Sequence, residues 1–95
     1  IRYVGDDMKI IKIGAMWCPG CLVMKKVWKN ILSDYPELNI IELDYDMDGQ
    51  EVEKYNPGKV LPVVIFMDDN DQELERVIGE VKEELLRKKI SEYDK

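Results

Sequence analysis

Isoleucine crowds the segment Met8–Met16, MKIIKIGAM, in a run too short for a helix and apolar enough to be covered on both faces; the pattern predicts a buried strand. From Cys18 to about Asp34 the period changes. Val23, Val27 and Ile31 recur every fourth residue with Met24, Trp28 and Leu32 beside them, a wide helical stripe that Pro36 ends. Leu38–Leu43 reads as a second strand. Asp48 with Glu51 has the spacing of a capping box and predicts a short helix over about Gly49–Tyr55. Pro57-Gly58 marks a turn, Leu61–Met67 a third strand, Asp68–Gln72 an acidic turn and Glu73–Ile78 a fourth strand closing a hairpin. A last helix is expected from near Glu80, with Val81, Leu85, Leu86 and Ile90 on one side. Its acidic residues, Glu80, Glu83 and Glu84, lie toward the start. Arg87, Lys88 and Lys89 lie toward the end as a solvated run that complements the helix dipole. The order is βαβαββα, with a parallel strand pair followed by an antiparallel hairpin.

No repeat, low-complexity tract or linker divides the 95 residues, which predict one domain with a core over about residues 8–90 and a short, weakly specified lead-in over residues 1–7. Composition narrows the chemistry. With no histidine, serine–histidine and cysteine–histidine triads and histidine-ligated metals are excluded. A net charge of −6 argues against binding nucleic acid through its phosphates. Val60–Met67, the longest strongly apolar stretch, is too short to span a bilayer. Asp44, Asp46, Asp48 and Gly49 imitate the opening of an EF-hand loop, but Tyr55 stands where a bidentate glutamate is needed, so no metal site is expected.

Trp17-Cys18-Pro19-Gly20-Cys21 carries the chemistry. Two cysteines are too few for a disulfide scaffold or a zinc site of their own. A C-x-x-C between a strand and a helix reads as a redox dithiol, against the blander readings of a structural disulfide or two small core residues. Cys18 falls at a helix N-terminus, where unpaired N–H groups and the dipole favour a thiolate. Pro19 loses nothing in the first turn, and Gly20 leaves the sulfurs approachable. Cys21, one turn on, is placed to displace a disulfide formed on Cys18, with no metal or organic cofactor. Trp28 and the methionines are expected to pack in the core or the groove.

On these residues the chain resembles the thioredoxin superfamily. Leu61-Pro62 matches its cis-proline loop, Gly79 its substrate-groove glycine, and Asp44-Tyr45-Asp46 the acidic end of its second strand. The resemblance implies a minimal thioredoxin-like α/β fold, a four-stranded mixed sheet with helices on both faces. It makes Cys18 the exposed nucleophile and Cys21 the buried resolving thiol. Trp17, Pro19, Gly20, Leu61, Pro62 and Gly79 would receive a partner polypeptide. The chain departs from the family in having Pro-Gly rather than Gly-Pro between the cysteines, in the residues beside Pro62, and in lacking most of the usual first strand and helix. The implied function is thiol–disulfide oxidoreductase on protein disulfides, acting as a monomer, without membrane or nucleic acid, and reset by a reductase or another dithiol. The alternatives are a peptide-binding module that does not turn over, or an exported oxidase or isomerase. An acidic, disulfide-poor chain suits the cytoplasm; because it begins at Ile1, an exported or tethered form stays open.

Lys12 and Glu42 are charges inside apolar strands and require an explanation. Strand alternation puts Lys12 on the face of Ile10 and Gly14, and Glu42 on the face of Ile40. In thioredoxins the position of Lys12 holds a buried aspartate and that of Glu42 a lysine, so the resemblance implies a charge-swapped, buried or half-buried pair behind the cysteines. As an ammonium Lys12 would favour the Cys21 thiolate; as a neutral amine it would accept the Cys21 proton. The competing reading is that Lys12 snorkels to solvent.

Overall fold

The computed structural model describes residues 8–93; the expected lead-in over residues 1–7 lies outside the described residues. Four strands, β1 (Met8–Gly14), β2 (Asn39–Asp44), β3 (Val63–Asp68) and β4 (Glu73–Ile78), form one mixed sheet in the order β2-β1-β3-β4. Helix α1 (Pro19–Asp34) crosses between β1 and β2, which pair in parallel as a helical crossover requires. The β1–β3 and β3–β4 pairings are antiparallel. Helices α2 (Gly49–Glu53) and α3 (Glu83–Tyr93) complete the expected element order.

The two central strands are buried on both faces, which is why their sequences read as continuous apolar runs. On one face Ile10, Val64 and Phe66 pack against Met24, Trp28 and Ile31 of α1 and Leu86 and Ile90 of α3. On the other, Ile11, Ile13, Val63 and Ile65 pack against Val52 of α2. Each side chain so enclosed contributes about 1.5–3 kcal/mol by leaving water.

Several boundaries differ from the sequence expectation. Of the expected stripe of α1, Met24, Trp28 and Ile31 are buried, together with Gly20, whereas Leu22 and Val23 stay exposed beside the cysteine motif. Met8, Met24 and Met67 are core residues as expected, whereas Met16 and Met47 are exposed. Asp48 makes no capping bond to α2; its Oδ2 accepts the Asp44 N–H at 2.8 Å, closing the loop behind β2. β3 starts at Val63, after the proline that cannot donate to a ladder. α3 begins at Glu83 rather than Glu80, because Gly79 holds φ +85° and the chain turns helical only where Leu85 and Leu86 donate to the Lys82 carbonyl. With α3 running to Tyr93, the basic run lies mid-helix and is not simply solvated. Arg87 bonds Asp34 of α1 at 2.7 Å and Glu83 at 2.8 Å, and Lys89 pairs with Glu75 of β4 at 2.8 Å.

Candidate active site

The strand–turn–helix passage from β1 into α1 builds the site. Cys18 is the N-cap of α1, extended at φ −94° and ψ 111°, with Pro19 in the first turn. Its Sγ accepts the Cys21 N–H at 3.2 Å, so a sulfur takes the place of the usual capping oxygen. An N–H aimed at the sulfur stabilises negative charge there.

Burial of the two cysteines is the reverse of the expectation. Cys18 is only 4% exposed, whereas Cys21 is partly exposed. The cap explains the first: Sγ turns back over the helix start instead of outward. The Cys21 thiol is pushed up to about 11, first by burial, then by its hydrogen bond with Cys18, with the negative charge of Asp44 adding to the effect. Near neutral pH it holds its proton. A Cβ on Gly14 would lie 3.2 Å from Cys21 Sγ, so the end of β1 presents bare backbone to this sulfur.

The groove residues fall as follows. The Leu61–Pro62 bond is cis and Pro62 is buried. The Gly79 N–H donates to the Pro62 carbonyl at 2.8 Å, which ties the end of β4 to the proline loop. Gly20 does not leave the sulfurs open, as its size suggested. It is itself buried, and a Cβ there would lie 3.1 Å from Glu80 Cγ and 3.4 Å from Pro62 Cδ, so its smallness lets α1, Pro62 and Glu80 close together. Leu61 sends its side chain into the α2-side core rather than toward the cysteines. Trp17 is 60% exposed, donates Nε1–H to Asp46 Oδ2 at 2.6 Å and stands edge-on to Tyr45. Met16, Trp17, Leu22 and Val23 make an exposed apolar rim about the motif, and Val60, also exposed, lies beside Gly79.

Behind the motif a cavity of about 430 Å³ opens between α1 and β2, with Cys21, Lys12, Glu42, Asp44 and Asp48 in its wall. Lys12 Nζ donates to Glu42 Oε1 at 2.8 Å and stands 5.0 Å from the Trp28 ring centroid. The pair is half-buried on one side only: the Lys12 side chain is 19% exposed and that of Glu42 74%, because β2 is the sheet edge. Lys12 holds the Glu42 carboxyl below its ordinary value. An ammonium bonded to a carboxylate is a donor and has nothing left to accept a proton with, so of the two roles open to Lys12 the geometry favours the ammonium.

The sequence marks Asp44 as the acidic end of a strand and as part of an incomplete EF-hand pattern, with no link to the cysteines. In the fold it occupies the wall it shares with Cys21, with Oδ1 accepting the N–H groups of Asp46 and Met47 at 2.9 Å each. Glu80, read as a helix residue, packs on the cysteine turn instead. Neither was legible without the β1–β2 register or the Gly79 turn. Among the described residues no cluster of three or more cysteine or acidic side chains could hold a metal.

The family model described as Thioredoxin matches residues 3–92. A thioredoxin of Ophiophagus hannah is 28% identical over 68 residues, 72% of this chain and 64% of that protein. The chloroplastic thioredoxin F2 of Arabidopsis thaliana is 24% identical over 86 residues, 90% of this chain and 46% of that protein. The chain thus spans about half to two thirds of the length of these curated relatives, 46% and 64%. Thioredoxin NaTrxh of Nicotiana alata superposes with a TM-score of 0.84 at 22% identity, over 95% of this chain and 76% of that one. A Fasciola hepatica thioredoxin superposes with a TM-score of 0.81 at 23% identity, over 93% and 82%. These likenesses establish the fold.

Proposed function

This chain belongs to the thioredoxin family, and from that premise we propose that it is a thiol–disulfide oxidoreductase that reduces or exchanges protein disulfides through Cys18 and Cys21. The observation that carries the reading is the Cys21 N–H donated to Cys18 Sγ at the start of α1. It sets the Cys18 sulfur over the helix start, while the Cys21 thiol, pushed up to about 11, keeps its proton.

The Cys18 thiolate attacks one sulfur of a substrate disulfide. A Cys18–substrate S–S bond forms, the substrate bond breaks, and the released sulfur leaves as a thiolate that takes a proton from water. Cys21 then loses its proton and attacks Cys18 Sγ. The Cys18–Cys21 bond forms and the second substrate thiolate departs. Two electrons have passed to the substrate, and an outside dithiol or reductase must return them. The dithiol is the only redox group the cycle requires. Trp17, Pro19 and Gly79, with the Leu61 backbone, form the rim against which an extended peptide lies, and the buried Gly20 and Pro62 support it from beneath. The Lys12 ammonium and Glu42 act as positioning residues that limit the negative charge of the cavity behind Cys21. The chain works as a monomer in a reducing compartment of the cytoplasmic kind, on proteins rather than on membranes or nucleic acid. Among the described residues no helix is long and apolar enough to cross a membrane.

Burial of Cys18 favours a second reading, a groove that binds peptides without turning over. Insulin reduction by dithiothreitol separates the two. The oxidoreductase accelerates precipitation of the insulin B chain and Cys18→Ser does not. No acceleration by the unsubstituted protein selects the binding module.

A further inference from the structure

Resolution requires Cys21, whose thiol sits near 11, to give up a proton, and Lys12 is already spent on Glu42. The fold offers another acceptor. Gly14 and Asp44 are direct partners in the parallel β1–β2 ladder, and partners in a ladder project on the same face. The Cβ direction of Gly14 runs into Cys21 Sγ. The Asp44 side chain therefore rises on the face of the sheet where Cys21 lies, and both line the same cavity. Its two hydrogen bonds from the loop backbone both fall on Oδ1, which fixes the carboxylate and leaves Oδ2 for the cavity. The other charged groups facing this space are Lys12, Lys25, Glu42 and Asp48. Lys12 and Glu42 neutralise one another, and Asp48 Oδ2 accepts the Asp44 N–H, holding the loop.

We propose that Asp44 is the proton acceptor for Cys21 during resolution. This rests on the oxidoreductase reading above. The Cys21 S–H proton passes to an Asp44 oxygen, directly or across one cavity water. The Cys21 sulfur bonds to Cys18 Sγ, the Cys18–substrate bond breaks, and the departing thiolate is protonated. Asp44 then returns its proton to solvent through the open cavity. No oxidant beyond the substrate disulfide is consumed.

The charge of Asp44 also makes the Cys21 thiol harder to ionise, and this gives the test its sign. A carboxylate that acted only as a nearby charge would hinder resolution, and removing it would speed the step. A proton acceptor helps, and removing it slows the step. The mixed disulfide of Cys18 with 2-nitro-5-thiobenzoate is formed at acid pH, jumped to neutral pH, and followed by the absorbance of the released thiolate. Asp44→Asn keeps an oxygen for the Asp46 and Met47 N–H groups. It is expected to release the thiolate about a hundredfold more slowly than the parent protein, the low end of what a positioned base contributes. Added formate, small enough for the cavity, and the variant Asp44→Glu both restore speed. Asp48→Asn stays within about twofold, less than a positioned base contributes. Asp44→Ser, whose hydroxyl can cap the same turn, keeps the question answerable if Asp44→Asn does not fold. An unchanged or faster release in Asp44→Asn overturns the proposal, as does a slowing that neither formate nor Asp44→Glu relieves. If the parent protein releases no thiolate after the jump, it is the oxidoreductase reading that fails.

Discussion

Two rungs of the β1–β2 ladder, with Ile13–Leu43 between them, face the same side of the sheet and carry charge in opposite ways. At Lys12–Glu42 an ammonium and a carboxylate meet at 2.8 Å and cancel. At Gly14–Asp44 a glycine opposes a carboxylate, the room above the glycine is taken by Cys21 Sγ, and the charge is left to act on a thiol. The lesson is that a charge already met by its partner is quiet, however unusual it looks in the sequence. A charge beside a titratable sulfur is not, however ordinary the aspartate that supplies it.

The largest effects should come from the sulfurs themselves. Cys21→Ser is expected to accumulate covalent adducts with disulfide proteins through Cys18, and Cys18→Ser to form none, with turnover reduced to background in both; non-reducing electrophoresis reads this. Trapping by Cys18→Ser in place of Cys21→Ser would reverse the assignment. Iodoacetamide at neutral pH should modify Cys18 first despite its burial, because Cys21 is protonated. Exposure alone orders the two the other way.

The rungs come next. Thiolate absorbance should place the Cys21 titration near 11 in the parent protein. Asp44→Asn should move it down by removing a negative charge, and Lys12→Met should move it by less, since the charge that bears on this thiol is that of Asp44. Equal and opposite shifts would contradict the difference between the rungs.

The smallest effect concerns stability in acid. Lys12 holds the folded-state Glu42 carboxyl below its ordinary value of 4.5. The pair's contribution is therefore complete above that value and disappears as pH falls through the lower folded one. Glu42 is largely exposed, so the contribution is roughly a few tenths of a kcal/mol. Chemical denaturation of Lys12→Met should differ from the parent near neutral pH by about that much and converge with it in strong acid.

Much of this site was visible in the chain. The isoleucines of β1, the turn of Cys18-Pro19-Gly20-Cys21 into a helix, and the proline opening β3 each depend on near neighbours, and local pattern reads near neighbours well. The Lys12–Glu42 partnership followed from the resemblance, which sets these two charges where the family carries an aspartate and a lysine. What escaped depended on register and rotamer. Asp48 has capping spacing but turns to the Asp44 N–H, and Gly79 in the left-handed region delays α3, leaving Glu80 against Gly20. The inward turn of Cys18 is a side-chain choice made by one backbone N–H. Asp44 gains its neighbour only when β2 is laid against β1 in a particular register.

Cys18 and Cys21 should behave as one two-electron couple. Equilibrating the protein across a series of glutathione redox buffers and quenching with acid before intact-mass measurement tests it most directly. One transition is expected between the dithiol and a form lighter by two hydrogens, with no glutathione adduct accumulating, because Cys21 displaces whatever joins Cys18. Persistent glutathione on Cys18, or two thiols indifferent to the buffer, would contradict it.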